Sequence, residues 1–311
     1  MTHNTPVTFE NSPLETVVDR LCTFAPTSPM FHRHRHDVPM PSVETLQAIL
    51  EGLKSVLFPG FFGHSDLTLQ NLRFHVGASL DRVLGMLQEQ IKRGFCFFCS
   101  VEEMSCHDCE RNARELADAF AKKLPVVQQM LAFDVQAAFN GDPAARHPGE
   151  AVFCYPSIMA MTHFRVAHEL HELGVPLIPR MITEFAHSKT GIDIHPGACI
   201  GSSFFMDHGT GIVIGETSII GNNVRIYQGV TLGARSFPLD ENGNPIKGIP
   251  RHPIIEDDVI IYAGATLLGR ITIGRGSVIG GNVWLTQSVP PGTMVTQGRP
   301  LTQGFLDGEG I

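Results

Sequence analysis

GIDIHPGACIGSSFFMDHGTGIVIGETSIIGNNVRIYQGVTLG, residues 191–233, places an aliphatic residue at every sixth position: Ile194, Ile200 and Met206, then Ile214, Ile220, Ile226 and Leu232. The same step resumes at Ile255 and runs through Ile261, Leu267, Ile273, Ile279 and Leu285. Two positions before most of these stands a second small or apolar residue: Ala198, Phe204, Val224, Val230, Val259, Ala265, Ile271 or Val283. Glycine often follows the aliphatic, as at Gly201, Gly215, Gly221, Gly233, Gly274 and Gly280, where a tight corner would be obstructed by a side chain. A period of six is incommensurate with the 3.6 of a helix, and Val, Ile and Gly favour strands and turns over helix. Six residues supply one short strand and one turn, so successive hexads coil the chain into a parallel β-helix with the aliphatics stacked inside.

Two breaks interrupt this register. Between Met206 and Ile214 the step is eight, and Asp207-His208 occupies the gap. Between Leu232 and Ile255 lies a polar segment with the turn-rich core "DENGNP". A β-helix accommodates insertions only by pushing them outward, where such loops build sites. The slip is therefore expected to thrust Asp207-His208 out of the wall.

Imidazoles titrate near neutrality, about 6.5 in model peptides, which makes His208 the leading candidate general base. Asp193 stands close to one coil earlier, where a carboxylate would orient the ring and stabilise its cation. Arg251 and His252, at the far end of the long loop, add a fixed cation and a second imidazole. An acid-steadied histidine with cations nearby suits acyl transfer to an alcohol whose molecule also carries a carboxylate.

The first half of the chain has a different pattern. In "VETLQAILEGLKSVLF" the residues Leu46, Ile49, Leu50, Leu53, Val56 and Leu57 recur at three and four, as do Leu69, Leu72, Val76, Leu80, Val83, Leu87 and Ile91. Further helices are expected near 106–122, 125–139 and 157–173, the last closed by Gly174 and Pro176. The organisation expected is a loosely ordered arm over 1–41, a helical domain over 42–189, a β-helix over 190–296 and a tail over 297–311: an α+β protein.

Composition excludes several classes. With 311 residues and 43% hydrophobic against 17% charged, the chain reads as globular. A net charge of −8 argues against nucleic acid held by bulk electrostatics. No apolar run approaches the roughly 20 residues that span a bilayer. Seven cysteines, without a secretory signal, point to a reducing cytoplasm. Cys96, Cys99, Cys106 and Cys109 form two C-x-x-C pairs, readable as a structural zinc site, the other reading being a buried helical stripe of Cys96, Cys99 and Cys106.

"GIDIHPGACIGSSFFMDHGTGIVIGE", with "GVTLGA", "RHP", "SVPPGT" and the upstream "DVQAAFNGDPAA", closely resembles the serine O-acetyltransferase family of hexapeptide-repeat acyltransferases. The resemblance covers residues 134 to 296. It implies a left-handed β-helix, trimers (or dimers of trimers) with active sites between subunits, and acetyl transfer from acetyl-CoA to the L-serine hydroxyl, the first committed step of cysteine synthesis. It implies His208 as base and Asp193 as its partner, with Asp142 and Asp207 on the serine ammonium. Arg251 and His252 would hold the serine carboxylate and flank the reacting hydroxyl. Ala234, Ala263 and Gly281 would lie against the pantetheine arm of acetyl-CoA. No metal is required for a thioester donor, and L-cysteine is implied as a feedback inhibitor. The closing "FLDGEGI" resembles family tails whose terminal isoleucine enters O-acetylserine sulfhydrylase, which would give Gly310-Ile311 a partner enzyme. The chain departs from the family at Ala234, where a second glycine is usual, in a longer loop from Arg235 to Pro250, and in "GRPLTQG" for the usual closing motif.

Three alternatives share these residues: a hexapeptide acetyltransferase for sugars or antibiotics, a β-helix carbonic anhydrase using His195, His208 and His252, and a non-catalytic scaffold binding the sulfhydrylase. The zwitterion-matching set Asp142, Asp207 and Arg251 favours serine over the first two.

Overall fold

The computed structural model describes residues 13–23, 38–63, 66–98 and 106–298. The chain divides into two compact units, residues 1–39 and 40–311. The first holds α1 (Pro13–Cys22), an amphipathic helix within the stretch expected to be a loose arm.

The second unit begins with α2 (Val43–Leu57), capped by Ser42, whose hydroxyl accepts the Thr45 N–H. There follow α3 (Leu72–Phe98), α4 (Cys106–Gly141), α5 (Pro148–Cys154), α6 (Pro156–Glu172) and α7 (Ile178–Thr190). Where two helices were expected across 106–139, α4 runs unbroken through Pro125. Proline removes one backbone hydrogen bond, but Phe120 and Leu124 before it and Val127 and Leu131 after it are all buried, so packing holds the helix together. Helix α7 ends on Gly191 in the left-handed region at φ +68°, the glycine cap that turns the chain into the β-helix.

The first coil comprises β1 (Asp193–Ile194), β2 (Cys199–Ile200) and β3 (Phe205–Asp207). The second has β4 (Val213–Ile214), β5 (Ile219–Ile220) and β6 (Arg225–Tyr227). The third has β7 (Thr231–Gly233), β8 (Ile254–Ile255) and β9 (Ile260–Ile261). Then come β10 (Thr266–Leu268), β11 (Thr272–Ile273), β12 (Val278–Ile279), β13 (Trp284–Leu285) and β14 (Met294–Val295). They stack into three parallel sheets, ordered β1-β4-β7-β10-β13, β2-β5-β8-β11 and β3-β6-β9-β12-β14. This is the left-handed parallel β-helix of hexapeptide repeats. Every hexad aliphatic from Ile194 to Ile279 is buried, and so are all eight residues two positions before.

Register records both interruptions. Ile214 pairs with Leu232, a regular coil of 18, whereas Met206 pairs with Ile226, a coil of 20 that contains the slip. Ile220 pairs with Ile255 at a separation of 35, so the long segment leaves the wall after β7 and returns at β8 without shifting the ladder.

The coil has three edges of different character. Between the second and third sheets, Ser202, Asn222 and Asp257 form a polar ladder, with Asn222 N donating to Asp257 at 2.8 Å and Ser202 N to Asn222 at 2.9 Å. The other two edges carry the candidate site.

The helices grip the first coil. α4 and α6 lie against β3, and α7 against β1. Arg165 of α6 makes two hydrogen bonds to Asp134 of α4, at 2.6 and 2.8 Å, both side chains being buried. Arg165 also donates to the Gly201 carbonyl at 2.9 Å, and Asp134 accepts the Phe204 N–H at 3.1 Å. Both ions are thereby satisfied, as a buried pair must be. Next to them, Gly141 lets the end of α4 touch β3: a Cβ there would stand 2.6 Å from the Phe205 ring.

Cys96 lies in α3, and Cys106 and Cys109 lie in α4, so these three belong to two separate helices. Cys99 falls outside the described residues, and Gly310-Ile311 does likewise.

Candidate functional site

The two-residue slip closes β3 and turns the chain toward β4. His208 adopts the left-handed backbone conformation at φ +56°, followed by Gly209 at φ +89° and Gly211 at φ +80°. Gly209 is required here, since a Cβ would meet Ile192 at 2.5 Å. The result is a tight outward turn in which the His208 side chain is 73% exposed and Asp207 22% exposed, with Nε2 and Oδ1 3.9 Å apart.

Asp142, one residue past α4, faces this turn. Its Oδ1 accepts the Ala144 N–H at 2.7 Å and its Oδ2 accepts the Tyr155 hydroxyl at 2.5 Å. The Tyr155 bond, then the Ala144 amide, hold its carboxyl below the ordinary value, with His208 contributing in the same direction. Tyr155 is pushed up, first by burial and then by Asp142, with Asp207 adding to the effect. Two carboxylates and an accessible imidazole thus share one end of the first coil.

Asp193 does not hydrogen-bond to His208 among the described residues. Its ligand atom lies within 4.8 Å of those of Glu184 and His187 at the end of α7. Glu184 in turn pairs with Arg180 at 2.6 Å and with His187 at 3.2 Å. That trio is the one candidate metal-holding group among the described residues.

Ala263 and Gly281 lie on the same edge as His208, at the turns after β9 and β12. A Cβ on Gly281 would stand 3.2 Å from the Ala263 carbonyl. Below them Gly211, Gly229 and Gly264 stack with a Cβ-to-Cα clearance of 3.5 Å between neighbours. This edge presents backbone, against which a thin extended chain can lie.

Arg251 and His252 occupy a different edge, between the first and second sheets, together with Ala234, His195 and Glu216. Thr217 organises it: its hydroxyl accepts the N–H groups of Arg251 at 2.9 Å and His252 at 3.1 Å. Its own N–H donates to His252 Nδ1 at 3.0 Å. Arg251 reaches Glu216 Oε2 at 2.6 Å. Burial would raise Glu216, but the Arg251 bond and charge bring it below the usual carboxylate range. Burial, then Arg251, pushes His252 down to about 4; burial, then Arg180, does the same for His195. The His252 ring lies on Gly215, where a Cβ would be 2.2 Å from Nε2.

The structure therefore gathers Asp142, Asp207, His208, Ala263 and Gly281 on one edge and its end, and Ala234, Arg251 and His252 on another. The three histidines of the carbonic-anhydrase alternative are divided between these edges. Tyr155 was not legible as a site residue because it carries no motif, and Thr217, although it ends the DHGTGIVIGET stretch, was given no role; the parts both play come from what they touch.

A family model, bacterial transferase hexapeptide (six repeats), matches residues 252–287. The plasmid serine acetyltransferase of Synechococcus elongatus is 52% identical over 303 residues, covering 96% of this chain and 95% of its own length. Serine acetyltransferase isoform 3 of Entamoeba histolytica, solved in complex with cysteine, is 33% identical. It superposes with a TM-score of 0.71 over 94% of this chain and 93% of its own. Soybean serine acetyltransferase complexed with serine is 28% identical, with a TM-score of 0.51 over 82% of this chain and 96% of its own.

Proposed function

The chain belongs to the serine acetyltransferase family and is an acyltransferase, and from that premise we propose that it moves acetyl from acetyl-CoA to the hydroxyl of L-serine. The observation that carries the reading is the slip after β3, which sets an accessible His208 beside two carboxylates, Asp142 and Asp207. Two anions and an imidazole match an ammonium and a hydroxyl on one small molecule. A neutral sugar offers no such ammonium.

In the proposed reaction His208 takes the hydroxyl proton as the serine oxygen attacks the thioester carbonyl. The tetrahedral oxyanion collapses, the carbon–sulfur bond breaks, and the imidazolium returns its proton to the departing CoA thiolate. O-acetyl-L-serine and CoA result, without an acyl-enzyme and without metal, since a thioester is already activated. Asp193 is proposed as the carboxylate that steadies the imidazolium.

Arg251 and His252 complete the site from a neighbouring copy. One edge of the coil holds the base and the ammonium ligands, another holds the cation for the serine carboxylate, and a three-fold assembly lays one against the other. The same interface places Ala234 of one copy opposite Ala263 and Gly281 of the next, a groove of small residues for pantetheine. His252, neutral and fixed by Thr217, presents Nε2–H as a donor to the oxyanion or carboxylate. Further parts of the proposal are pairing of trimers through the helices, L-cysteine competing in the serine pocket, and Gly310-Ile311 docking O-acetylserine sulfhydrylase. The L-cysteine proposal is supported by the cysteine-bound Entamoeba relative.

The test is CoA release with L-serine against a panel of sugars, repeated with added L-cysteine. Turnover with serine, lost by roughly 10²–10⁴-fold in His208→Ala, is the outcome anticipated. Turnover on sugars alone, or full activity in His208→Ala, discards the reading.

A further inference from the structure

Tyr155 sits where two helices meet. It closes α5, donating its N–H to the Ala151 carbonyl at 3.1 Å, and it precedes Pro156, the first residue of α6. Its own carbonyl accepts the Ile158 N–H at 3.1 Å. Both backbone groups are thus engaged, and Pro156 restricts the conformation of the residue before it. The phenol is delivered from a rigid junction, and its hydroxyl ends on Asp142 Oδ2 at 2.5 Å.

Asp142 needs such a support. It lies just beyond the end of α4, half-exposed, where an aspartate would otherwise sample several rotamers. Ala144 N–H holds one oxygen and Tyr155 holds the other. The phenol is a donor here and the carboxylate accepts, so Asp142 remains an anion, close enough to His208 for the two to influence each other. Recognition of an ammonium by two carboxylates demands that both be fixed before the ligand arrives, because ordering them on binding costs affinity.

We infer that Tyr155 is a positioning residue for the α-ammonium group of the acceptor, acting through Asp142 and thereby selecting amino acids among small alcohols. The inference rests on the serine-acetylating reading above and deepens it. Tyr155 touches Asp142, and Asp142 touches the substrate.

The experiment compares the full-length wild-type chain with Tyr155→Phe, Asp142→Asn and the double variant. Tyr155→Phe keeps the ring and removes one hydrogen bond to a charged group, a change that corresponds to roughly tenfold in affinity. The anticipated result is a serine KM raised roughly tenfold, with kcat and the KM for acetyl-CoA within about twofold. L-cysteine binding, measured by calorimetry without turnover, should weaken by the same factor. In the Asp142→Asn background Tyr155→Phe should add nothing to the loss in kcat/KM for serine, the signature of one residue working through another. A merely structural role would lower kcat and raise both KM values together, and would add to the Asp142→Asn loss; either result overturns the inference. An unchanged serine KM in Tyr155→Phe overturns it too, while leaving serine acetylation intact. A wild-type chain that does not acetylate serine discards the parent reading instead.

Discussion

Thr217 donates its backbone N–H to Nδ1 of His252 at 3.0 Å, which makes Nδ1 an acceptor and leaves the ring proton on Nε2. With burial holding His252 down to about 4, the ring is neutral through the physiological range. It is a fixed donor, unsuited to be the base. His252→Asn should therefore lower kcat while leaving the acidic limb of the pH–kcat/KM profile in place. A shifted limb would assign His252 the proton transfer.

The same ionisation bears on stability. His252 and His195 bind a proton near pH 6.5 when unfolded but only near 4 when folded. Between those values the unfolded chain binds more protons, so stability falls as pH drops from about 6.5 to 4. Thermal melts across pH 4–8 should fall over that window. His252→Asn should flatten the slope, and an unchanged slope would contradict the assignment.

Gly215 is occupied from above by the His252 ring, with 2.2 Å between a built Cβ and Nε2. Gly215→Ala should displace the imidazole and cost about 1–3 kcal/mol of stability by overpacking. Its kcat should fall with that of His252→Asn, and the two together should be no worse than the more damaging single change. Denaturant melts and initial rates check both.

The proposed sharing of one site between the His208 edge of one copy and the Arg251 edge of another has a complementation test. His208→Ala and Arg251→Ala chains should each be nearly inactive alone. Mixed at equal ratio in a trimer, about a quarter of the interfaces unite an intact His208 with an intact Arg251. Recovery of activity near that fraction is anticipated. None at all would mean that each chain builds its site alone.

The buried pair of Asp134 and Arg165 ties α4 and α6 to the first coil. Asp134→Asn or Arg165→Met should cost about 3–5 kcal/mol by leaving one ion without its partner. Asp134→Leu with Arg165→Met should cost less than the single changes add up to, as followed by Tm.

The β-helix was legible because its rule is local and repeated. Each hexad must place one aliphatic inward, and thirteen of them in step leave no other period possible. Even the slip at Asp207-His208 shows in the letters, and the register of 20 between Met206 and Ile226 is its structural counterpart. Helix α4 was less legible: Pro125 argues locally for a break, and burial on both sides overrides it. Cys96 and Cys106 share a helical phase in sequence yet stand on separate helices.

Within the site, His208, Asp207 and Asp142 stand out because motif and register mark them. Tyr155 and Thr217 do not, since a tyrosine before a proline and a threonine after a glutamate are common. What the sequence alone determined is therefore the coil, its interruptions and the residue types displayed at them, all consequences of side-chain periodicity. What only the tertiary structure decided is which displayed residues meet. Asp142 stands near His208 because a buried ion pair and the bare Gly141 bring the end of α4 onto β3, and Arg251 lies elsewhere because a coiled chain has more than one edge. Such contacts join positions far apart in sequence, and no local pattern encodes them.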